Sequence, residues 1–192
     1  MRVVKLAKRP ATYEDLLKVP NNLVAEIIEG ELYTSPRPAP AHLLAASSLG
    51  ARIHTHFHDG GGGPGGWWIL NEPELHLGPA ILVPDIAGWR RARMPALPTT
   101  PAFELAPDWI CEVLSPSTSR IDRMLKLPMY GRADVAFAWL VDPIQRTLEA
   151  FRLTNGQWSL LGIYGDAVAR IEPFEEIEFP VASLWISDEQ PA

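Results

Sequence analysis

The sequence predicts an α/β or α+β layered fold, and three observations carry that prediction. Short apolar runs at 67–77, 80–90, 109–114 and 135–141 have the length and composition of strands. Stretches of helical period precede and interrupt them, at 42–57 and from Ser117 to Gly131. Beyond residue 147 the chain alternates as strands around an Asn155-Gly156 turn. The tally is helix, three strands, helix, strand and added β-hairpins, which a chain of 192 residues accommodates as one domain over 1–192.

In chain order, Thr12-Tyr13-Glu14-Asp15 has the form of a capping box and starts a short helix that ends near Pro20. Residues 24–33 read as a hairpin about Glu29-Gly30, with Glu26 in its first arm. After the break at Pro36, Pro38 and Pro40 comes the first substantial helix, 42–57, followed by the glycine-rich 60–66, which is a flexible loop. Residues 67–77 and 80–90 are each expected as one strand, the second carrying Pro84-Asp85, and 95–107 as a Pro- and Thr-rich loop. The run 109–114 is apolar except for Glu112, as in a strand buried on both faces. Ser117 or Thr118 caps the next helix, where Pro128 forces a break or kink. Strands at 147–153 and 158–164 flank the Asn155-Gly156 turn, and a final strand-like piece spans 171–186.

No run approaches the roughly 20 apolar residues of a membrane-spanning helix, and the start lacks a signal-peptide pattern, so a cytoplasmic location is expected. The single cysteine, Cys111, has no partner for a disulfide and is expected to pack as a small hydrophobe. A net charge of -6 gives no global attraction to a phosphate backbone, although Arg90, Arg91 and Arg93, and then Arg120, Arg123, Lys126 and Arg132, form local basic stretches.

A lone carboxylate inside a buried strand is costly unless it is paired or bound to a cation, which makes Glu112 the sharpest anomaly of the sequence. Asp85, after Pro84 in the preceding run, is the natural second ligand of a divalent cation held by oxygens, and the carbonyl of Val113 can extend the shell. The bland alternative, a strand-end Glu112 paired with an arginine and a turn-capping Asp85, stands beside it on spacing alone.

The blocks Glu26-Ile-Ile-Glu-Gly-Glu-Leu, Val83-Pro84-Asp85-Ile-Ala, Cys111-Glu112-Val113-Leu114-Ser115-Pro116-Ser117-Thr118, Lys126 with Tyr130-Gly131, and Trp139-Leu140-Val141-Asp142-Pro143 together resemble the Uma2 family of the PD-(D/E)XK nuclease superfamily, over about residues 12–186. The resemblance implies a restriction-endonuclease-like central mixed sheet flanked by helices. It implies a metal-dependent endonuclease acting on DNA, with Mg²⁺ or Mn²⁺ held by Asp85 and Glu112 and with Glu26 as a third acidic residue. Glu72 and Glu74 are rivals for that third place. The superfamily lysine, two residues after the second carboxylate, is replaced here by Leu114. The resemblance moves it to Lys126, four residues after Asp122 and so on the same helical face. Lys126→Ala is therefore expected to abolish cleavage and leave the fold largely intact. The resemblance also places His42 near the site.

Other classes are weaker. His54 and His58, with Asp59, have a spacing that suits a transition metal on a helix. The glycine run lacks the Gly-Lys-Ser/Thr ending of a phosphate-binding loop, and neither Ser115 nor Ser117 lies in a Gly-x-Ser-x-Gly elbow. The main rival to an enzyme is a non-catalytic nucleic-acid- or protein-binding module on the same fold. Trp158, Phe174, Phe179 and Trp185 in the C-terminal strands suggest a homodimer formed at exposed edges.

Overall fold

Residues with positive φ and prolines set where this chain turns, and they divide the apolar runs into the observed strands. The structure, a computed structural model, describes residues 2–3 and 9–186. In chain order these hold β1 (Arg2–Val3), α1 (Tyr13–Leu16), β2 (Leu23–Ile28), β3 (Glu31–Pro36), α2 (Pro40–Ile53), β4 (Trp67–Asn71), β5 (Glu74–Leu77), β6 (Ala80–Leu82) and β7 (Ile86–Arg90). There follow β8 (Ala102–Phe103), β9 (Trp109–Val113), α3 (Ser119–Ile121), α4 (Leu127–Arg132), β10 (Phe137–Asp142), β11 (Thr147–Thr154), β12 (Gln157–Tyr164), β13 (Val168–Ala169) and β14 (Phe179–Pro180). A π-helical turn, His54–His58, continues α2; a second, Asp122–Lys126, joins α3 to α4; and a 3-10 turn, Val181–Leu184, follows β14.

The strands form two six-stranded mixed sheets, in the orders β1-β3-β2-β6-β5-β8 and β12-β11-β10-β9-β7-β4, and a two-stranded ribbon of β13 and β14. Pairing is antiparallel except for β5 with β8 and β9 with β10. The fold is thus the expected mixed α/β class, with two mixed sheets and a few flanking helices. The hairpin turns behave as their residues require: Glu29-Gly30 and Asn155-Gly156 both adopt positive φ at both positions, the backbone that matches strand twist in a two-residue connection.

Two expected strands are each split. Glu72 has φ +46° and Pro73 follows it, so the 67–77 run places β4 in one sheet and β5 in the other. Val83-Pro84-Asp85 likewise separates β6 from β7. The chain crosses between the sheets at both points, and Asp85 lies at a crossing rather than in mid-strand. The 171–186 piece is not a strand either. It turns back on itself, with Phe174 N–H donating to Ile171 O at 2.9 Å, and only Phe179–Pro180 pairs. Its aromatic residues are core: Phe174, Phe179 and Trp185 are buried with Trp67, Trp109 and Trp139 against Leu49, Ile53 and Phe57 of the α2 arm. They therefore do not furnish the exposed edge on which the homodimer expectation leaned.

On its other face the second sheet packs Trp89, Ile110 and Ala138 against Tyr130 of α4 and against Leu75 and Leu82 of the first sheet. Covered on both sides, β9 is buried at every position, which is why its sequence is a continuous apolar run and why Glu112 is enclosed. Pro128 does not interrupt the helical arm as expected. It lacks the N–H that would bond to the carbonyl of Met124, and the wider π turn that precedes it lets the chain continue as α4.

Candidate active site

The two sheet crossings bring polar side chains from both sheets and two helical arms to one cavity of about 330 Å³. Glu26 comes from β2, Asp85 from the crossing before β7, Glu112 from the centre of the second sheet, Asp122 and Lys126 from the π turn, and His42 from the first turn of α2. Val113 and Glu72 also line it.

Lys126 is enclosed, with 3% of its side chain exposed. Its Nζ lies 2.8 Å from Glu26 Oε1 and 2.9 Å from Glu112 Oε1, donates to Val83 O at 3.3 Å, and is 3.9 Å from Asp122 Oδ1. The Tyr130 hydroxyl donates to the same Glu112 Oε1 at 2.6 Å. Asp85 is fixed on both sides: its Oδ2 accepts from Val113 N–H at 2.7 Å, and its Oδ1 faces His42 Nε2 at 3.2 Å. Glu26 Oε1 also accepts from Val83 N–H at 2.8 Å. Both backbone groups of Val83, at the break in the strand, are thus taken up by the site's own side chains.

Burial pushes the Glu112 carboxyl well above the usual carboxylate range against the pull of Lys126, with Asp122, Asp85 and Glu26 adding repulsion. Burial alone would lower Lys126, yet the charges of Glu112 and Glu26 hold its amine well above the ordinary value. Asp122 is raised to about 6, chiefly by burial. Burial and then the Glu112 charge raise the Tyr130 hydroxyl. His42 also ends above its usual value: burial pulls it down, but the hydrogen bond and charge of Asp85 outweigh that.

Glu26, Asp85, Glu112, Val113 and Lys126, the residues singled out by sequence, therefore border one cavity. Of the rival third carboxylates, Glu74 is engaged elsewhere, 2.7 Å from His76 Nε2, and Glu72 sits exposed at the rim. Sequence reasoning gave no role to Asp122 or Tyr130. Their signal was the four-residue spacing Asp122, Lys126, Tyr130, which sets three polar groups on one face of a helical arm. Lys126→Ala acquires a different meaning from the expected one, because it would strand two buried glutamates without their counter-ion. An intact fold is not the outcome this geometry supports.

The basic stretches are mostly committed to structure. Arg91 stacks on Trp68 at 4.1 Å and donates to Trp67 O and His58 O. Arg93 pairs with Asp108 at 2.9 Å, and Arg123 makes a two-pronged pair with Glu149. Ligand atoms of His54, His58 and Asp59 lie within 4.8 Å of one another, so this trio could gather about an ion. Its present geometry opposes that. The two rings are stacked, 4.1 Å apart and 16° from parallel, so their in-plane lone pairs do not converge. His58 Nδ1 already accepts from Ile69 N–H at 3.2 Å, which leaves the proton of the neutral ring on Nε2.

The carboxylate cavity offers a donor set of another kind. Five acidic side chains line it together with the Lys126 ammonium, and oxygen donors suit Mg²⁺, Ca²⁺ and Mn²⁺. Among the described residues no helix is long and apolar enough to cross a membrane.

Comparison with known proteins gives the family and the fold. No curated protein matches the chain in sequence. Among solved structures, the crystal structure of "a putative nuclease belonging to DUF820" from Anabaena variabilis superposes with a TM-score of 0.73 over 91% of this chain and 97% of the other, at 24% identity. That likeness establishes the fold. The profile of the family described as "Uma2: Putative restriction endonuclease" matches residues 10–182, nearly the whole length, and the chain belongs to the Uma2 family.

Proposed function

We propose that this protein is a divalent-metal-dependent endonuclease that hydrolyses DNA phosphodiester bonds. The observation that carries the reading is the enclosed pair of Glu112 and Glu26 about Lys126, with the half-buried Asp85 lining the same cavity, which draws on both sheets. Asp85, Glu112 and the carbonyl of Val113 would hold the cation, Mg²⁺ or Mn²⁺. When bound, it would supply positive charge to the scissile phosphate and acidify an attacking water.

The chain's own residues do the rest. Tyr130 and Lys126 both engage Glu112 Oε1, which fixes the carboxylate and leaves Oε2 for the ion. Val113 N–H and His42 hold the two oxygens of Asp85, one each. Lys126, gripped by two glutamates, provides a fixed positive charge beside the reacting phosphate rather than a base for the water. The family and the fold of the Anabaena variabilis relative support a nuclease. The acidic net charge predicts weak non-specific binding, so substrate would be held mainly at the site.

Purified protein incubated with DNA and RNA, duplex and single-stranded, with Mg²⁺ or Mn²⁺ and with an EDTA control, tests this. Cleavage that EDTA stops and that falls at least about 100-fold in Asp85→Asn is the expected result. Retention of nucleic acid without cleavage would favour a non-catalytic binding module. The same reading keeps the protein in the cytoplasm and allows a homodimer through β12, an uncharged edge strand with Leu160 and Ile163 exposed. Light scattering at micromolar concentration checks the dimer.

A further inference from the structure

Two cationic side chains of lysine or arginine line the acidic cavity among the described residues, Lys126 and Arg37. Lys126 is enclosed by its glutamates, whereas Arg37 is exposed and has no part in the roles above. It stands one residue past β3, whose last residue, Pro36, is paired with Leu23 of β2. Pro38 follows it, and a residue before proline is confined to extended backbone, which limits where this side chain can reach. Its Nη2 donates to Asn21 O at 3.3 Å. That contact uses one of the five N–H groups and leaves most of the guanidinium fork open. Unlike Arg93 and Arg123, it has no carboxylate partner among the described residues.

A phosphodiester entering this cavity meets five acidic side chains, of which Glu72 is exposed at the rim. The enclosed ammonium of Lys126 is shared by two glutamates and offers little to a phosphate still outside. Arg37 is the lining residue that can meet it there, because a guanidinium fork matches two phosphate oxygens at once. Ser117, exposed in the same lining, adds a hydroxyl whose proton can turn toward an acceptor. One exposed cation suits one strand. Duplex DNA carries a charge for about every 1.7 Å of axis, twice the density of a single strand. Its second backbone would bring further repulsion from a chain of net charge -6. The cavity, about 330 Å³, also lies at the lower end of the range for small-molecule pockets, which admits one unpaired nucleotide more readily than a base pair.

We propose that Arg37 anchors the phosphate next to the scissile one, and that the site takes single-stranded DNA in preference to duplex. The inference rests on the nuclease reading above, and the experiment keeps the two apart.

Full-length protein is titrated into fluorescein-labelled single-stranded and duplex oligonucleotides of one sequence, with Ca²⁺ present, and followed by fluorescence anisotropy at several salt concentrations. Cleavage of the same oligonucleotides is measured with Mg²⁺ or Mn²⁺. The wild type should bind the single strand at least about tenfold more tightly than the duplex. Arg37→Ala should weaken single-strand binding at least about tenfold and flatten the slope of log affinity against log salt by about 0.7. Arg37→Lys should restore the slope and only part of the affinity, since a point charge lacks the fork. Arg37 is exposed, and an unchanged urea midpoint in both variants confirms that the fold is kept. Single-strand affinity and slope unchanged in Arg37→Ala overturn the anchor, whether or not the protein cleaves. Duplex bound as tightly as single strand, or neither bound, overturns the preference. Single-strand binding that depends on Arg37 without cleavage in either ion leaves the anchor standing and overturns the nuclease reading instead.

Discussion

Glu112 shows how one carboxylate in an apolar strand organises its surroundings. It is 3% exposed, and it is tolerated because Lys126 and Tyr130 meet it within 3 Å. Removing one partner of a buried pair costs more than the pair contributes, since the remaining charge stays enclosed. Lys126→Ala should therefore destabilise the metal-free protein by roughly 3–5 kcal/mol, measured by urea unfolding, and Lys126→Met combined with Glu112→Gln should recover a large part of that loss. A single Ala variant as stable as wild type would show that the amine is not the counter-ion of the two glutamates. Asp122 behaves oppositely. Its carboxyl rises from an ordinary 3.8 to about 6, chiefly through burial, so folding takes up a proton between about pH 4 and 6. Its contribution is full below pH 4 and is lost as pH rises through 6. Asp122→Asn should be more stable than wild type by roughly 1–3 kcal/mol at pH 7.5 in EDTA, with the difference closing near pH 4. Parallel thermal or urea unfolding at the two pH values checks it, and a constant offset would exclude proton linkage at this residue.

At the scale of elements, what was legible in the sequence is what local chemistry alone determines. The hairpins at Glu29-Gly30 and Asn155-Gly156 and the capped turn at Thr12 were readable because backbone preference fixes them within a few residues. The buried strand β9 was readable because burial on both faces leaves no alternation. The splits at Glu72-Pro73 and Val83-Pro84-Asp85 were not, although each contains a proline, because apolar periodicity continues across both. Only tertiary pairing decides that one side of each break joins a different sheet. The 171–186 segment misled for a related reason: its aromatic residues are buried as plugs against the second sheet, not as partners in a ladder. The helical arm shows the same limit, since Pro128 announced a break but the compensating π turn has no sequence signature of its own. That turn also moves Asp122 and Lys126 inward together, and it explains why Asp122 was passed over: in sequence it looks like a solvated acid among arginines.

At the scale of the molecule, the cavity lies where the chain passes from one sheet to the other, and its acidic groups oppose each other across that junction. Glu26 belongs to the first sheet, Glu112 to the second, and Asp85 to the segment between them. Their mutual repulsion works against keeping the two sheets together, and within the described residues of the cavity Lys126 is the enclosed cation that offsets it. A divalent ion bound there would act on global stability, because it binds the assembled junction and not the unfolded chain. By mass action, an ion at 100 times its dissociation constant stabilises the fold by about 2.7 kcal/mol. For a chain of this size each kcal/mol moves the melting temperature by roughly 2–4 °C, so saturating Mn²⁺ should raise Tm by about 5–10 °C over an EDTA control. The rise should shrink to about 1–2 °C in Asp85→Asn, where one ligand is lost, and should survive His54→Ala unchanged. Differential scanning calorimetry of the three proteins, with and without the ion, decides it. A rise abolished by His54→Ala but kept by Asp85→Asn would assign the stabilising ion to the helix end beside the glycine loop and remove the junction from metal binding altogether.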